Sequence, residues 1–141
     1  TDSMYPHINR LLEDKSETKL NADCRFCGTR PDPSIRGSYS GISENSFTPA
    51  DFAFATLDGM AQELFDMYSA ADKKASGIVC SGNGVRKNEA LRRIIAAKFG
   101  CEIKIPFYEE EAAYGAALSA TVAGGINKDI DTACAKIRYK D

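Results

Sequence analysis

The stretch from Ser76 to Gly124 constrains this chain most. It runs as a short apolar segment, Ser76-Gly-Ile-Val-Cys-Ser81, a glycine turn, Gly82-Asn-Gly-Val-Arg-Lys-Asn88, a helical run, a second apolar run and a second helical run. Strand, glycine turn and amphipathic helix together make a site that aims a helix N-terminus at an anion, because the first helical amides lack intrahelical partners and the peptide dipoles add there. A nucleotide site is therefore the first reading. The turn alone is not specific, since glycine serves many strand-to-helix turns that bind nothing. It is not a Walker A loop, which ends in Lys followed by Ser or Thr. Nor is it a full dinucleotide fingerprint, because Lys87 stands where the third glycine would fall.

Length and composition bound the rest. At 141 residues, 43% hydrophobic and 27% charged, the chain fits one soluble globular domain with a working core. A net charge of −2 gives no reason to expect nucleic acid or an anionic membrane as partner. No apolar run approaches the roughly 20 residues that span a bilayer, and no signal peptide opens the chain, so the cytoplasm is the expected location. Cys24-Arg-Phe-Cys27 has metal or redox spacing, but Cys80, Cys101 and Cys134 sit singly and His7 is the one histidine. The expectation is five reduced thiols and no metal site.

Taken in order, the chain starts abruptly. Ile8, Leu11 and Leu12 share one helix face, and residues 1–21 read as a leading helix and loop cut from something longer. The loop-rich stretch from Asp23 to Ser43 carries Arg25, Arg30 and Arg36, which can face a phosphate or pair with local carboxylates such as Asp32, and it offers a short strand in Gly37-Ser-Tyr-Ser-Gly-Ile42. Thr48-Pro-Ala-Asp51 is a helix start: a Thr cap, Pro at the first position and an acid three residues on. Two apolar stripes follow, Leu57, Met60, Leu64, Met67 and Phe54, Ala61, Phe65, Tyr68, and both are expected in the core.

Ser76 to Ser81 is expected as a strand buried on both faces. Asn88 to Phe99 follows as a helix ending at Gly100, and Cys101 to Ile105 as a strand near an edge, closed by Pro106. Glu109, Glu110 and Glu111 lead the next helix and suit its dipole. That helix carries Ala112, Ala113, Gly115, Ala116, Ala117 and Ala120, and small residues on both faces permit close packing against the turn. Gly124-Gly125 ends it, and residues 126–141 make a short helix and a charged tail. Alternating strands and helices imply an α/β fold with parallel pairing and right-handed crossovers, and the ligand then sits beyond the carboxyl ends of the strands, where Gly82 to Asn88 falls.

Two ordered motifs carry a resemblance. Gly37-Ser-Tyr-Ser-Gly-Ile42, an eight-residue spacer, Asp51-Phe52 and Ala55-Thr-Leu-Asp58 resemble the C-terminal signature of the FGGY carbohydrate kinases at every specified position. Ser81-Gly-Asn-Gly-Val-Arg-Lys-Asn-Glu89 and Glu110-Glu-Ala-Ala-Tyr-Gly-Ala-Ala117 are similar to that family's adenosine loop and final helix, so the resemblance runs from about Cys24 to Gly125. Within the family, Phe26-Cys-Gly-Thr-Arg30 with Asp32-Pro33 and Arg36-Gly37 looks most like the sedoheptulokinases.

The resemblance implies an actin-like, ribonuclease-H-type domain, the second half of an ATP-dependent sugar kinase using magnesium, with residues 1–141 part of that nucleotide-binding domain. It implies that Gly82, Asn83 and Gly84 line the adenosine and α-phosphate, with Lys87 or Asn88 in the place of the family's loop asparagine, near the base or ribose. It also implies that the sugar-binding domain, the catalytic base and the phosphate-gripping threonine loop lie upstream, so no catalytic residue is expected here and the chain by itself is expected to phosphorylate nothing. The lost domain interface and the small-residue helix leave surface on which two copies could pair. Two other readings stay open. One is a Rossmann-like nucleotide module, which calls for an acid at the end of the strand after the glycine-turn helix, where this chain has Ile105-Pro106. The other is an actin-like interaction domain without chemistry.

Overall fold

A computed structural model describes residues 3–71 and 75–140; Thr1, Asp2 and Asp141, at the outer ends of the leading and trailing segments, lie outside the described residues. The centre of the fold is a pair of helices, α2 (Pro49–Ser69) and α4 (Glu89–Phe99). Phe54, Leu57 and Ala61 of α2 meet Ala90, Leu91, Ile94 and Ile95 of α4, and Leu12 closes the cluster from the end of α1 (Tyr5–Leu11). Burying a side chain of this size contributes about 1.5–3 kcal/mol, so this cluster is where the fold is held. Phe65 and Phe99 extend it edge to face at 5.2 Å.

The start of α2 follows the capping pattern. The Asp51 amide donates to Thr48 Oγ1 at 3.2 Å, and the Thr48 hydroxyl donates back to the Asp51 carboxylate. Asp51, 5% exposed, also holds Lys15 Nζ at 2.7 Å and the Thr18 hydroxyl at 2.6 Å. These bonds put its carboxyl well below the usual carboxylate range, with Lys15 contributing most. The loop before the first strand is thereby tied to the helix.

Two small sheets flank the helices. β1 (Asn21–Asp23) and β2 (Ser38–Ser40) pair antiparallel, Ala22 opposite Tyr39. β3 (Ile78–Val79) runs parallel to β4 (Ile103–Pro106), and β4 pairs antiparallel with β5 (Tyr139–Lys140), giving the order β3-β4-β5. Close approach governs the first sheet's seat on α2: a Cβ on Gly59 would lie 2.3 Å from the Ala22 carbonyl oxygen. α5 (Glu111–Ala123) and α6 (Ile130–Cys134) complete the chain. Asp129 caps α6, accepting from the Thr132 amide at 2.8 Å.

Several expectations are corrected. The segment 76–81 contains a two-residue strand whose Val79 is 52% exposed, so it is not buried on both faces. The strand ending at Pro106 is central within its sheet, because the tail, expected only as charged, returns as β5 and covers the edge. β3 and β4 form the one parallel pair among the described strands. The first α2 stripe is core only at its head, Leu57: Met60, Leu64 and Met67 are 43%, 48% and 62% exposed, because α4 and β1 take the other faces of the helix. The small residues of α5 do not pack closely on the turn either. Leu118 is its one buried residue, and a Cβ on Gly115 would meet nothing within 4 Å.

Candidate nucleotide site

β3 delivers the chain to the glycine turn. Its ladder continues to Cys80, whose amide donates to the Lys104 carbonyl at 2.9 Å. Gly82 then takes φ 90°, ψ 156°, a conformation L side chains rarely adopt, and a single helical turn follows, α3 (Asn83–Arg86). Around Gly82 and Gly84 no atom lies within 4 Å of an added Cβ. The turn is therefore glycine-bearing for backbone conformation at Gly82 and is open on its outer side, where a ligand can approach the main chain.

Gly82, Asn83 and Gly84 lie together and exposed, and Lys87, also exposed, ends α3. Asn88 has a different task. It is 4% exposed, and its side chain caps α4 by accepting from the Leu91 amide at 2.9 Å, which turns it inward from the surface shared by the other four. The helix-end expectation is corrected at the same point. Asn9 Oδ1, from α1, accepts from the amides of Glu89 at 2.9 Å and Ala90 at 3.4 Å, while its Nδ2 donates to the Lys87 carbonyl at 3.0 Å. The first three amides of α4 are thus filled from within, and the one-turn α3 is too short to add a dipole of consequence. What the turn offers an anion is exposed loop backbone.

Sequence reasoning passed over Arg86. Its side chain is 5% exposed and donates to the carbonyls of Pro106 and Tyr108, each at 2.9 Å, and to the Glu111 carboxylate. It joins the turn, the exit of β4 and the start of α5. Glu111 also accepts from the Gly82 amide at 3.4 Å, and hydrogen bonding to Arg86 lowers its pKa. Glu111 therefore serves the turn more directly than it serves a helix dipole. A cavity of about 230 Å³ opens beside these groups, lined by Val79, Ser81, Tyr108, Tyr114, Leu118 and Tyr139 among others. Tyr108 and Tyr114 stack there at 4.4 Å.

Larger grooves lie away from the turn, one of about 740 Å³ between the 22–31 loop and α2 and one of about 470 Å³ between residues 13–16, α2 and α4. Several charged groups at or near their rims are already engaged. Arg25 is paired with Asp23 at 2.6 Å rather than with Asp32, and Lys98 with Asp58 at 2.9 Å. Arg36 donates to the Pro33 and Ile35 carbonyls, each at 2.7 Å. The Cys24 thiol donates to the Thr56 carbonyl at 3.3 Å, and the five cysteines are free thiols. Among the described residues, no group of three or more His, Cys, Asp or Glu side chains comes together to hold a metal ion. No helix among them is long and apolar enough to cross a membrane.

A parallel strand pair that delivers an open glycine turn, with helices packed beside it, matches part of an actin-like, ribonuclease-H-like ATPase fold. Solved structures share it: xylulose kinase from Lactobacillus acidophilus superposes with a TM-score of 0.83 at 21% identity, covering 96% of this chain and 29% of that one. Glycerol kinase from Plasmodium falciparum, solved with ADP, gives 0.81 at 20% identity over 96% and 28%. Residues 19–124 match the C-terminal domain of the FGGY family of carbohydrate kinases, and the chain belongs to that family. Xylulose kinase from Staphylococcus epidermidis is 34% identical over 104 residues, 72% of this chain, and glycerol kinase from Bdellovibrio bacteriovorus 32% over 102 residues, 70% of it. The chain spans 21% and 20% of those relatives' lengths. These relatives are xylulose and glycerol kinases, so the finer likeness to sedoheptulokinases, carried by residues 26–37, gains no support from them.

Proposed function

We propose that this chain is the nucleotide side of an ATP-dependent carbohydrate kinase, which transfers the γ-phosphate of ATP to a hydroxyl of a sugar held by a further domain. The observation that carries the reading is the family match itself, because residues 19–124 include both the signature around Asp51 and the open turn at Gly82. Gly82, Asn83, Gly84 and Lys87 line the adenosine and α-phosphate, and Asn88 holds them in place from beneath by capping α4.

Phosphoryl transfer is mostly positioning and charge neutralisation, with a base for the attacking hydroxyl. The base belongs to residues other than these. Asp51 is locked by Lys15, Thr18 and Thr48, Asp58 pairs with Lys98, and Asp32 accepts from the Ser34 hydroxyl at 2.6 Å. The described carboxylates likewise assemble no magnesium ligand set. The exposed Ala and Gly faces of α5 suit closure of the sugar-binding domain over the nucleotide. A ketose such as sedoheptulose is the proposed substrate class, argued from residues 26–37 alone.

The test is ADP release from ATP and magnesium by the full-length protein, with sedoheptulose, xylulose, glycerol and gluconate in turn. Release that depends on one of them, and that falls when Gly82 is replaced by Val, is the expected result. A folded protein that turns over with none would sink the kinase reading and leave a binding or interaction module.

A further inference from the structure

Glu111 occupies an awkward place for a nucleotide site. Its carboxylate reaches the Gly82 amide at 3.4 Å, so a negative charge lies against the main chain of the turn assigned above to an anion. Two like charges a few ångströms apart at a protein surface repel far more than they would in bulk water. Arg86 meets the same carboxylate from the inner side, where it is 5% exposed, while Glu111 is 24% exposed. A guanidinium keeps its charge at any accessible pH and presents its donors in a fixed fork, and here the fork is filled by Pro106, Tyr108 and Glu111.

We propose that Arg86 and Glu111 form a charge-masking pair that positions the glycine turn and keeps it acceptable to the phosphates of a nucleotide; this rests on the nucleotide reading of that turn. Without ligand, Glu111 accepts the Gly82 amide and fixes the backbone of the turn. When a phosphate oxygen takes that amide, Glu111 stays with Arg86, and the phosphate faces a neutral pair in place of a bare carboxylate. Both are positioning residues, since neither is asked to touch the reacting atoms. Asn9 and Asn88 supply the same service for α4, so the turn is held on both sides by side chains that leave its outer backbone open.

The experiment is ADP binding to the full-length protein by titration calorimetry, with thermal melts of every variant. Arg86→Met unmasks Glu111 and weakens binding about tenfold or more, an effect of the size such a repulsion gives in a partly exposed site. Glu111→Gln stays within about threefold of the parent, and the double variant Arg86→Met/Glu111→Gln returns to within about threefold, the coupling a double-mutant cycle isolates. Arg86→Lys keeps the charge with fewer donors, so it melts earlier yet binds within about threefold. The proposal is overturned if folded Arg86→Met binds like the parent, or if the double variant is as weak as Arg86→Met, because the pair would then be structural only. Should Arg86→Met not fold, Arg86→Lys and Glu111→Gln decide it: weakening of either beyond about threefold overturns the masking role. A parent chain that does not bind ADP takes down the nucleotide reading of the turn, and this inference with it.

Discussion

The signature half, from Lys15 to Asp58, and the glycine-turn half, from Ser81 to Glu111, use their motif residues in opposite ways. In the first, the motif is consumed by the fold. Asp51 takes Lys15, Thr18 and Thr48, and the Tyr39 hydroxyl lies 2.7 Å from Thr56 Oγ1, which itself donates to the Phe52 carbonyl at 2.7 Å. In the second, Gly82, Asn83, Gly84 and Lys87 stay exposed, and the bonding is done behind them by Asn9, Arg86, Asn88 and Glu111. A motif of equal apparent strength can thus mark a scaffold or a surface, and what separates the two is whether its polar atoms already have partners.

The largest expected break in this comparison comes from acid. Asp23 is held at about 2 by its hydrogen bonds to Arg25, Asp51 lies lower still, and Glu111 is lowered by Arg86. Folded values below the ordinary 3.8 and 4.5 mean that this stability is fully present above about pH 5 and is lost as pH falls through the folded values. Urea melts between pH 6 and pH 2 should show falling stability. Asp51→Asn should flatten that dependence by about one proton and Glu111→Gln by less; equal flattening would erase the distinction between the halves.

Glycines sharpen the contrast further. Gly59→Ala sets a Cβ 2.3 Å from the Ala22 carbonyl and 3.1 Å from Cys24 Sγ, so a loss of about 3 kcal/mol in a denaturant melt is expected for this overpacked contact. Gly82→Ala meets no atom within 4 Å and costs only its backbone conformation, about 2 kcal/mol, yet it should weaken ADP binding where Gly59→Ala lowers stability alone. If Gly59→Ala were tolerated, the seat of the first sheet on α2 would be misplaced. The smallest effect has the opposite sign. Gly115→Ala, in open space inside α5, should stabilise by roughly 0.5–1 kcal/mol through helix propensity, and a loss there would indicate a close packing partner for that face.

Sequence alone determined what is local. The Thr48-Pro-Ala-Asp51 cap, the strained turn at Gly82, the stop at Gly100 and the span of α4 each follow from residues within a few positions of one another, because caps and glycine conformations are set by near neighbours. The order of the two motifs also sufficed to place the chain in its family. Tertiary structure alone decided the remainder. Asn9 reaches amides 80 and 81 residues away, and Arg86 reaches Glu111 across 25. Met60, Leu64 and Met67 share helical spacing with their buried neighbours, yet which stripe is covered depends on where α4 and β1 come to rest. Tyr139 and Lys140 read as a charged tail until β4 presents an edge for them to pair with. Periodicity encodes a face, and what lies opposite that face is fixed only when distant segments pack, since the chain carries no local signal for a partner dozens of residues away.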